Sequence, residues 1–214
     1  MYVKNRMTSN PYTIAFDAPI TDLIGLMREK NLKRVPVVHG DKIVGIITHG
    51  DIQKVSPTKA TTLSIFELNY LLSKTKVSDA MTKEVITISP DALLEEAAIL
   101  MRENKISTLA VVKDNKLVGI ITESDIFDSF IDLLGFRDVG SRITIQAEDI
   151  PGVLADIAEI FRDLGYNITH IAVFRGSGGY SDIVIRTNAI NTDLLEKRLQ
   201  ERGYKIGDVI RNAG

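Results

Sequence analysis

Thr48 and Asp51 close the apolar run Val44-Gly45-Ile46-Ile47, and Thr122 and Asp125 close a nearly identical run that begins at Val118. A hydroxyl and a carboxylate three residues apart, after a β-branched stretch, stand where a strand feeds the first turn of a helix. Two chemistries fit that placement. As caps, the threonine oxygen accepts from an early helix N–H and the aspartate favours the positive end of the helix dipole. As ligand groups, the carboxylate accepts from two vicinal hydroxyls of a ribose while the helix start favours an anion. Gly45 and Gly119 let something approach either strand closely. The residues alone leave the two readings level.

Around these pairs the two stretches differ in charge. Lys33-Arg34 precedes Val35-Pro36-Val37 in the first, where the second has Ser107-Thr108 before Leu109-Ala110-Val111. His49-Gly50 is matched by Glu123-Ser124. Phosphate-capable cations therefore belong to the first copy and an added carboxylate to the second, so the first is expected to take the charged ligand. A second motif, Asp149-Ile150-Pro151-Gly152-Val153-Leu154, opens another helix, and Gly165-Tyr166-Asn167-Ile168 follows its end. The bland reading is that Asp149 caps, Pro151 initiates, Gly152 packs and Asn167 closes a turn. Gly176-Ser177-Gly178-Gly179 opens onto a strand, so it reads as a hairpin loop rather than a phosphate loop. His39, His49 and His170 lack metal-ligand spacing, and no nucleophile-base-orienter set is visible; catalysis is not expected.

The elements that must hold these residues are written twice. An offset of 74 residues carries Met7-Thr8 onto Met81-Thr82, Leu26 to Glu29 onto Leu100 to Glu103, and Val44 to Thr48 onto Val118 to Thr122. About 20 identical positions without a gap make this a duplicated unit. In the second copy Ser89-Pro90 is expected to start a helix with Leu93, Leu94, Ala97, Ala98 and Met101 on one face. Two short strands follow across the turn Lys113-Asp114-Asn115, then a helix from about Asp125. Between the copies Ser56-Pro57 ends a helix, and Ser64-x-x-Glu67 reads as a capping box for a connecting helix. Arg137 to Ser141 is the best boundary after the repeat. Beyond it, strand, helix, strand, strand, helix, strand can be read from Arg142 to Ile210, with Gly165 and Gly203 ending the helices and Thr192 capping the second. That βαββαβ order is ferredoxin-like. Its free sheet face and apolar strands such as Ile183-Val184-Ile185 predict pairing of two chains.

The chain has 214 residues, 44% hydrophobic and 25% charged, which is enough for a buried core in an ordinary globular class. A formal net charge of −2 supplies no basic field for a nucleic-acid backbone. Without cysteine there are no disulfides, zinc-thiolate sites or thiol nucleophiles. The first residues lack the apolar core of a signal peptide, and no stretch approaches a membrane span; a cytoplasmic protein is expected.

Val3-x-x-x-Met7-Thr8, Val35-Pro36-Val37 and Gly45-Ile46-Ile47-Thr48-x-x-Asp51, with their counterparts in the second copy, resemble the CBS domain, and the pair resembles a CBS tandem, or Bateman module. The resemblance implies an adenine nucleotide (AMP, ADP or ATP) held between apolar strands, its ribose on the aspartate and its phosphate near the threonine. Carried over, it implies Lys33, Arg34, Val35, Pro36, Thr48 and Asp51 for one cleft and Thr122 and Asp125 for the other. The Asp149 to Leu154 motif with Asn167 resembles the ACT domain. That implies side-by-side pairing and an amino acid or small metabolite at the joint, contacted by Asp149, Gly152, Val153 and Asn167. The expected architecture is α+β: CBS repeats at 1–60 and 77–136 around a helical linker at 61–76, related by a pseudo-two-fold, then a ferredoxin-like ACT domain at 141–214. The order CBS-CBS-ACT resembles bacterial acetoin-utilisation accessory proteins. It implies a non-catalytic homodimeric regulator, with no cofactor or metal, acting on an unknown protein. The alternative is a purely structural dimerisation module that binds nothing.

Overall fold

A computed structural model of the chain describes residues 1–55 and 65–212, apart from the side chains of Ile65, Leu68 and Asn69. The segment Ser56 to Ser64, with its expected helix stop and the serine of the capping box, lies outside the described residues. The chain forms two compact units, Met1–Ile126 and Phe127–Gly214.

In the first unit each repeat has the expected hairpin and helices. The first repeat contributes β1 (Thr8–Ser9), β2 (Ile14–Ala15), α1 (Ile20–Glu29), β3 (Arg34–His39), β4 (Lys42–Thr48) and α2 (His49–Val55). After α3 (Ile65–Lys74), the second contributes α4 (Val77–Ala80), β5 (Thr87–Ile88), α5 (Leu94–Asn104), β6 (Thr108–Lys113), β7 (Lys116–Thr122) and the first residues of α6 (Glu123–Leu133), whose remainder belongs to the second unit. The β6–β7 turn places Asp114 and Asn115 at φ +50° and +60°, the left-handed pair that a tight hairpin requires. Helix α5 starts four residues later than Ser89-Pro90 predicts. Ser89 instead accepts from the Asp91 N–H in a local turn, and Glu96 accepts from the Leu93 N–H at 2.7 Å, which moves the cap to Leu93.

The repeats exchange their first residues. Strand β1 pairs with β7, in the order β1-β7-β6-β5, and Thr82 bridges to Ile46 of β4 in the matching place. The Val3 N–H donates to the Ala92 carbonyl and the Val77 N–H to that of Ala18, each at 2.9 Å. Val3 is wholly buried in the second repeat's core with Leu94, Met101, Leu109 and Ile121. Val77 is buried among Ile20, Leu23, Val35 and Ile47 of the first. Each exchanged valine contributes about 1.5–3 kcal/mol of burial to the opposite repeat, so the two cores form together.

The second unit has a four-stranded antiparallel sheet built from β8 (Gly140–Glu148), β9 (Ile168–Arg175), β10 (Tyr180–Thr187) and β11 (Lys205–Asn212), in the order β11-β8-β10-β9. Helices α7 (Val153–Asp163) and α8 (Asp193–Glu201) complete the βαββαβ order and close a core of Ile143, Ile145, Ile157, Phe161, Leu195 and Leu199. Gly165 and Gly203, at φ +74° and +89°, follow the two helices as expected. Thr192 is the N-cap of α8, but its hydroxyl donates to Glu196 at 2.7 Å instead of capping the backbone. The strand Ile183-Val184-Ile185, expected to take part in pairing two chains, is an interior strand of this sheet. Strand β10 lies between β8 and β9, and all three residues are buried; the edges are β9 and β11.

Candidate ligand-binding sites

Both threonine-aspartate pairs close reciprocal capping boxes. Thr48 donates from its backbone N–H at 3.0 Å and from Oγ1 at 2.7 Å to Asp51 Oδ2, while the Asp51 N–H donates to Thr48 Oγ1 at 3.3 Å. Thr122 and Asp125 repeat the pattern at 2.7, 2.7 and 3.3 Å. The strand-to-helix junction needs these bonds because the first N–H groups of a helix have no partner inside it. The copies differ one turn further on. Lys54 donates to Asp51 Oδ1 at 2.9 Å, whereas Asp128 stands at the equivalent place in the second copy and pairs with Arg137. Burial raises the Asp51 carboxyl, but hydrogen bonds from Lys54 and Thr48 outweigh it and hold the group below its ordinary range.

Arg34 leaves its own repeat. Its Nη1 donates to Ser107 Oγ at 2.7 Å and also to Thr108 Oγ1, so the pair that differs between copies is brought together across the pseudo-two-fold. These groups line a cleft of about 230 Å³ with Thr48, Ile46, Glu84 and Lys105. Lys105 adds a cation that the sequence reading missed; its φ of +54° at the end of α5, matched by +51° at Asn31, is the trace it leaves in the backbone. Lys33 is exposed and is not part of this lining, and neither is Asp51. Val35 is wholly buried in the first repeat's core, while Pro36, also buried, pairs with cleft residue Ile46. Thr122 and Asp125 lie outside this cleft.

Gly45 and Gly119 have a different occupant from the one expected. A Cβ on Gly119 would lie 2.6 Å from Met7 Sδ and 3.0 Å from the Thr8 carbonyl oxygen; one on Gly45 would meet Met81 and lie 3.0 Å from the Thr82 carbonyl oxygen. The close approach at these strands is made by the exchanged Met-Thr segments.

In the second unit a cavity of about 560 Å³ opens at the start of α7. Asp149, Gly152 and Val153 line it, as do Arg175 at the end of β9 and Ser181 and Ile183 of β10. Gly152 is the N-cap at φ +97°, a conformation that other residues rarely adopt. Asp149 holds Arg175 at 3.0 Å in an exposed ion pair. Asn167 is exposed and stands just before β9, about 25 Å along the strand from Arg175 at ~3.3 Å per residue. It is not brought to this cavity within the chain.

A family model of the CBS domain matches residues 3–57 and 77–132, and one of the ACT domain matches 141–203. The chain belongs to the CBS domain family, with an ACT domain after the CBS pair. The uncharacterized protein MJ1426 of Methanocaldococcus jannaschii is 34% identical over 61% of this chain and 92% of its own length. Inosine-5'-monophosphate dehydrogenase of Bacillus subtilis is 30% identical over 84% of this chain, which spans only 34% of that enzyme. Among solved structures, a Vibrio cholerae protein named for acetoin utilization (AcuB) is 31% identical, with a TM-score of 0.53 over 64% of this chain and 95% of its own. CBSX2, solved with AMP, is 28% identical, with a TM-score of 0.50 over 61% of this chain and 96% of its own. The CBS pair of protein MJ0100, solved with 5'-methylthioadenosine and S-adenosyl-L-methionine, is 30% identical, with a TM-score of 0.50 over 61% and 99%. Among the described residues no helix is long and apolar enough to cross a membrane.

Proposed function

We propose that this CBS-ACT protein is a non-catalytic cytoplasmic sensor that binds an adenine nucleotide (AMP, ADP or ATP) in the cleft between its CBS repeats. The observation that carries the reading is the convergence of Arg34, Lys105, Thr48 and the Ser107-Thr108 pair on one cleft. Cations and hydroxyls suit a phosphate, and the apolar wall at Ile46, Val85 and Ile86 suits a base. The AMP and S-adenosyl-L-methionine held by CBSX2 and MJ0100 support the adenosine class. In this reading the cavity at the start of α7 takes an amino acid or small metabolite, and two chains pair. The occupied state is passed to a regulated protein, with acetoin utilization as the context offered by AcuB.

A ligand-free interaction module is the second reading. It is favoured by the capping boxes, which use both threonine-aspartate pairs without any ligand. Calorimetry with AMP, ADP and ATP separates the two. Wild type is expected to bind at least one nucleotide. Arg34→Gln should weaken it about 10- to 150-fold, through loss of a charge-assisted bond worth roughly 1.5–3 kcal/mol. Absence of heat and of any thermal shift at millimolar nucleotide would sink the sensor reading, and light scattering on the same sample reads the pairing.

A further inference from the structure

Ser181 is 2% exposed, and its Oγ is the buried side-chain polar atom without a hydrogen-bond partner among the described residues. Buried hydroxyls are paired in nearly all folded proteins, because an unpaired one forfeits its bonds to water. This one stands in the wall of the cavity at the start of α7, two residues before Ile183 and so on the same face of β10. Gly152, Val153, Leu154 and Ala155 line the same cavity, where the first N–H groups of α7 follow the left-handed Gly152 and have no partner inside the helix. Arg175 lines the same cavity with its side chain mostly exposed, in an ion pair with Asp149. An exposed pair of this kind is weak and exchanges readily for another carboxylate.

The cavity therefore offers Arg175 and the α7 amides as positive groups, Glu148 and Asp149 as negative ones and one unpaired hydroxyl, with apolar surface from Ile150, Leu154, Val173 and Ile183. We propose that Ser181 and Arg175 select the ligand: an L-α-amino acid whose side chain carries a hydroxyl or amide. Its carboxylate lies between the Arg175 guanidinium and the α7 amides. Its ammonium faces Asp149, which the guanidinium releases, and its side-chain polar group hydrogen-bonds Ser181 Oγ. The proposal rests on the reading of this cavity as an amino-acid site, and it adds the class of side chain and the two residues that read it. A nucleotide does not fit this set, because Glu148 and Asp149 oppose a phosphate's charge, whereas the ammonium of an amino acid offsets them.

The test uses the full chain and near-isosteric ligand pairs, L-threonine against L-valine and L-asparagine against L-leucine, by calorimetry and thermal shift. Wild type should prefer the polar member of at least one pair on the order of 10- to 100-fold, because a site with a buried hydroxyl rejects a ligand that leaves it unpaired. Ser181→Ala should erase that preference while keeping the apolar member's affinity; this also shows that the variant is folded. Arg175→Gln should weaken both members together. Equal binding of the two members of each pair by wild type overturns the proposal and leaves the amino-acid site standing. So does an unchanged preference in Ser181→Ala. Binding of none of the four overturns the reading of the cavity and the proposal with it.

Discussion

Replacing Asp51 and Asp125 one at a time by alanine separates capping from ligand binding. Each carboxylate accepts the backbone N–H and the hydroxyl of its threonine through a single oxygen, Oδ2. Each substitution strands a strand-end N–H and removes half of a capping box, at a cost of about 0.5–2 kcal/mol. For a unit the size of Met1–Ile126 that corresponds to a fall of roughly 3–6 °C in Tm per kcal/mol. Because the capping geometry is nearly the same in both copies, the two ligand-free variants should fall by similar amounts in a thermal melt. Titration with AMP should then divide them. Asp51 lies outside the cleft of Arg34 but holds Thr48, which lines it, so Asp51→Ala is expected to weaken AMP by loosening Thr48, at a cost of about 1 kcal/mol or roughly fivefold. Asp125→Ala should leave AMP binding near wild type. Asp51→Asn keeps a carbonyl acceptor for the Thr48 N–H and hydroxyl, so it should recover much of both the stability and the affinity. An unchanged melt in either alanine variant would refute the capping argument. Equal loss of AMP binding in both would refute the asymmetry between the copies.

Gly119→Ala should cost about 1–3 kcal/mol in a denaturant titration, because the methyl group overlaps Met7 and presses on the Thr8 carbonyl. Adding Met7→Ala should recover part of that loss, and strict additivity of the two changes would contradict the exchanged packing. Tyr204 donates to Asp156 at 2.6 Å, and burial together with this bond pushes its hydroxyl up to about 12. A folded value raised above the ordinary ~10 means that the bond's contribution is complete below pH ~10 and lost as pH rises toward 12. Alkaline melts of Tyr204→Phe should therefore show a shallower decline than wild type over that window, and parallel declines would refute the coupling.

Much of this protein follows from local pattern. The offset of 74 residues announces two copies of one unit, since identical stretches fold alike. The hairpin at Asp114-Asn115 and the βαββαβ order from Gly140 onward follow from turn residues and from the change between strand and helix periods, both of which act over a few residues. Thr48, Asp51, Thr122 and Asp125 were recognisable as strand-to-helix junctions for the same reason. The exchange of Val3 and Val77 between cores was not legible, because a single helical turn, Val3–Asn5 or Val77–Ala80, has no period and its partner is chosen by which core has room for a valine. Nor did alternation along β3 alone say that Val35 faces the core while Arg34 turns outward to reach Ser107 and Thr108, 73 and 74 residues away. Ser181 carried no signal in the chain at all. A serine in a strand is ordinary until packing buries it without a partner, and that depends on where α7 comes to rest over β10. Short-range periodicity decides the elements; the pairing of distant surfaces decides which of their side chains meet.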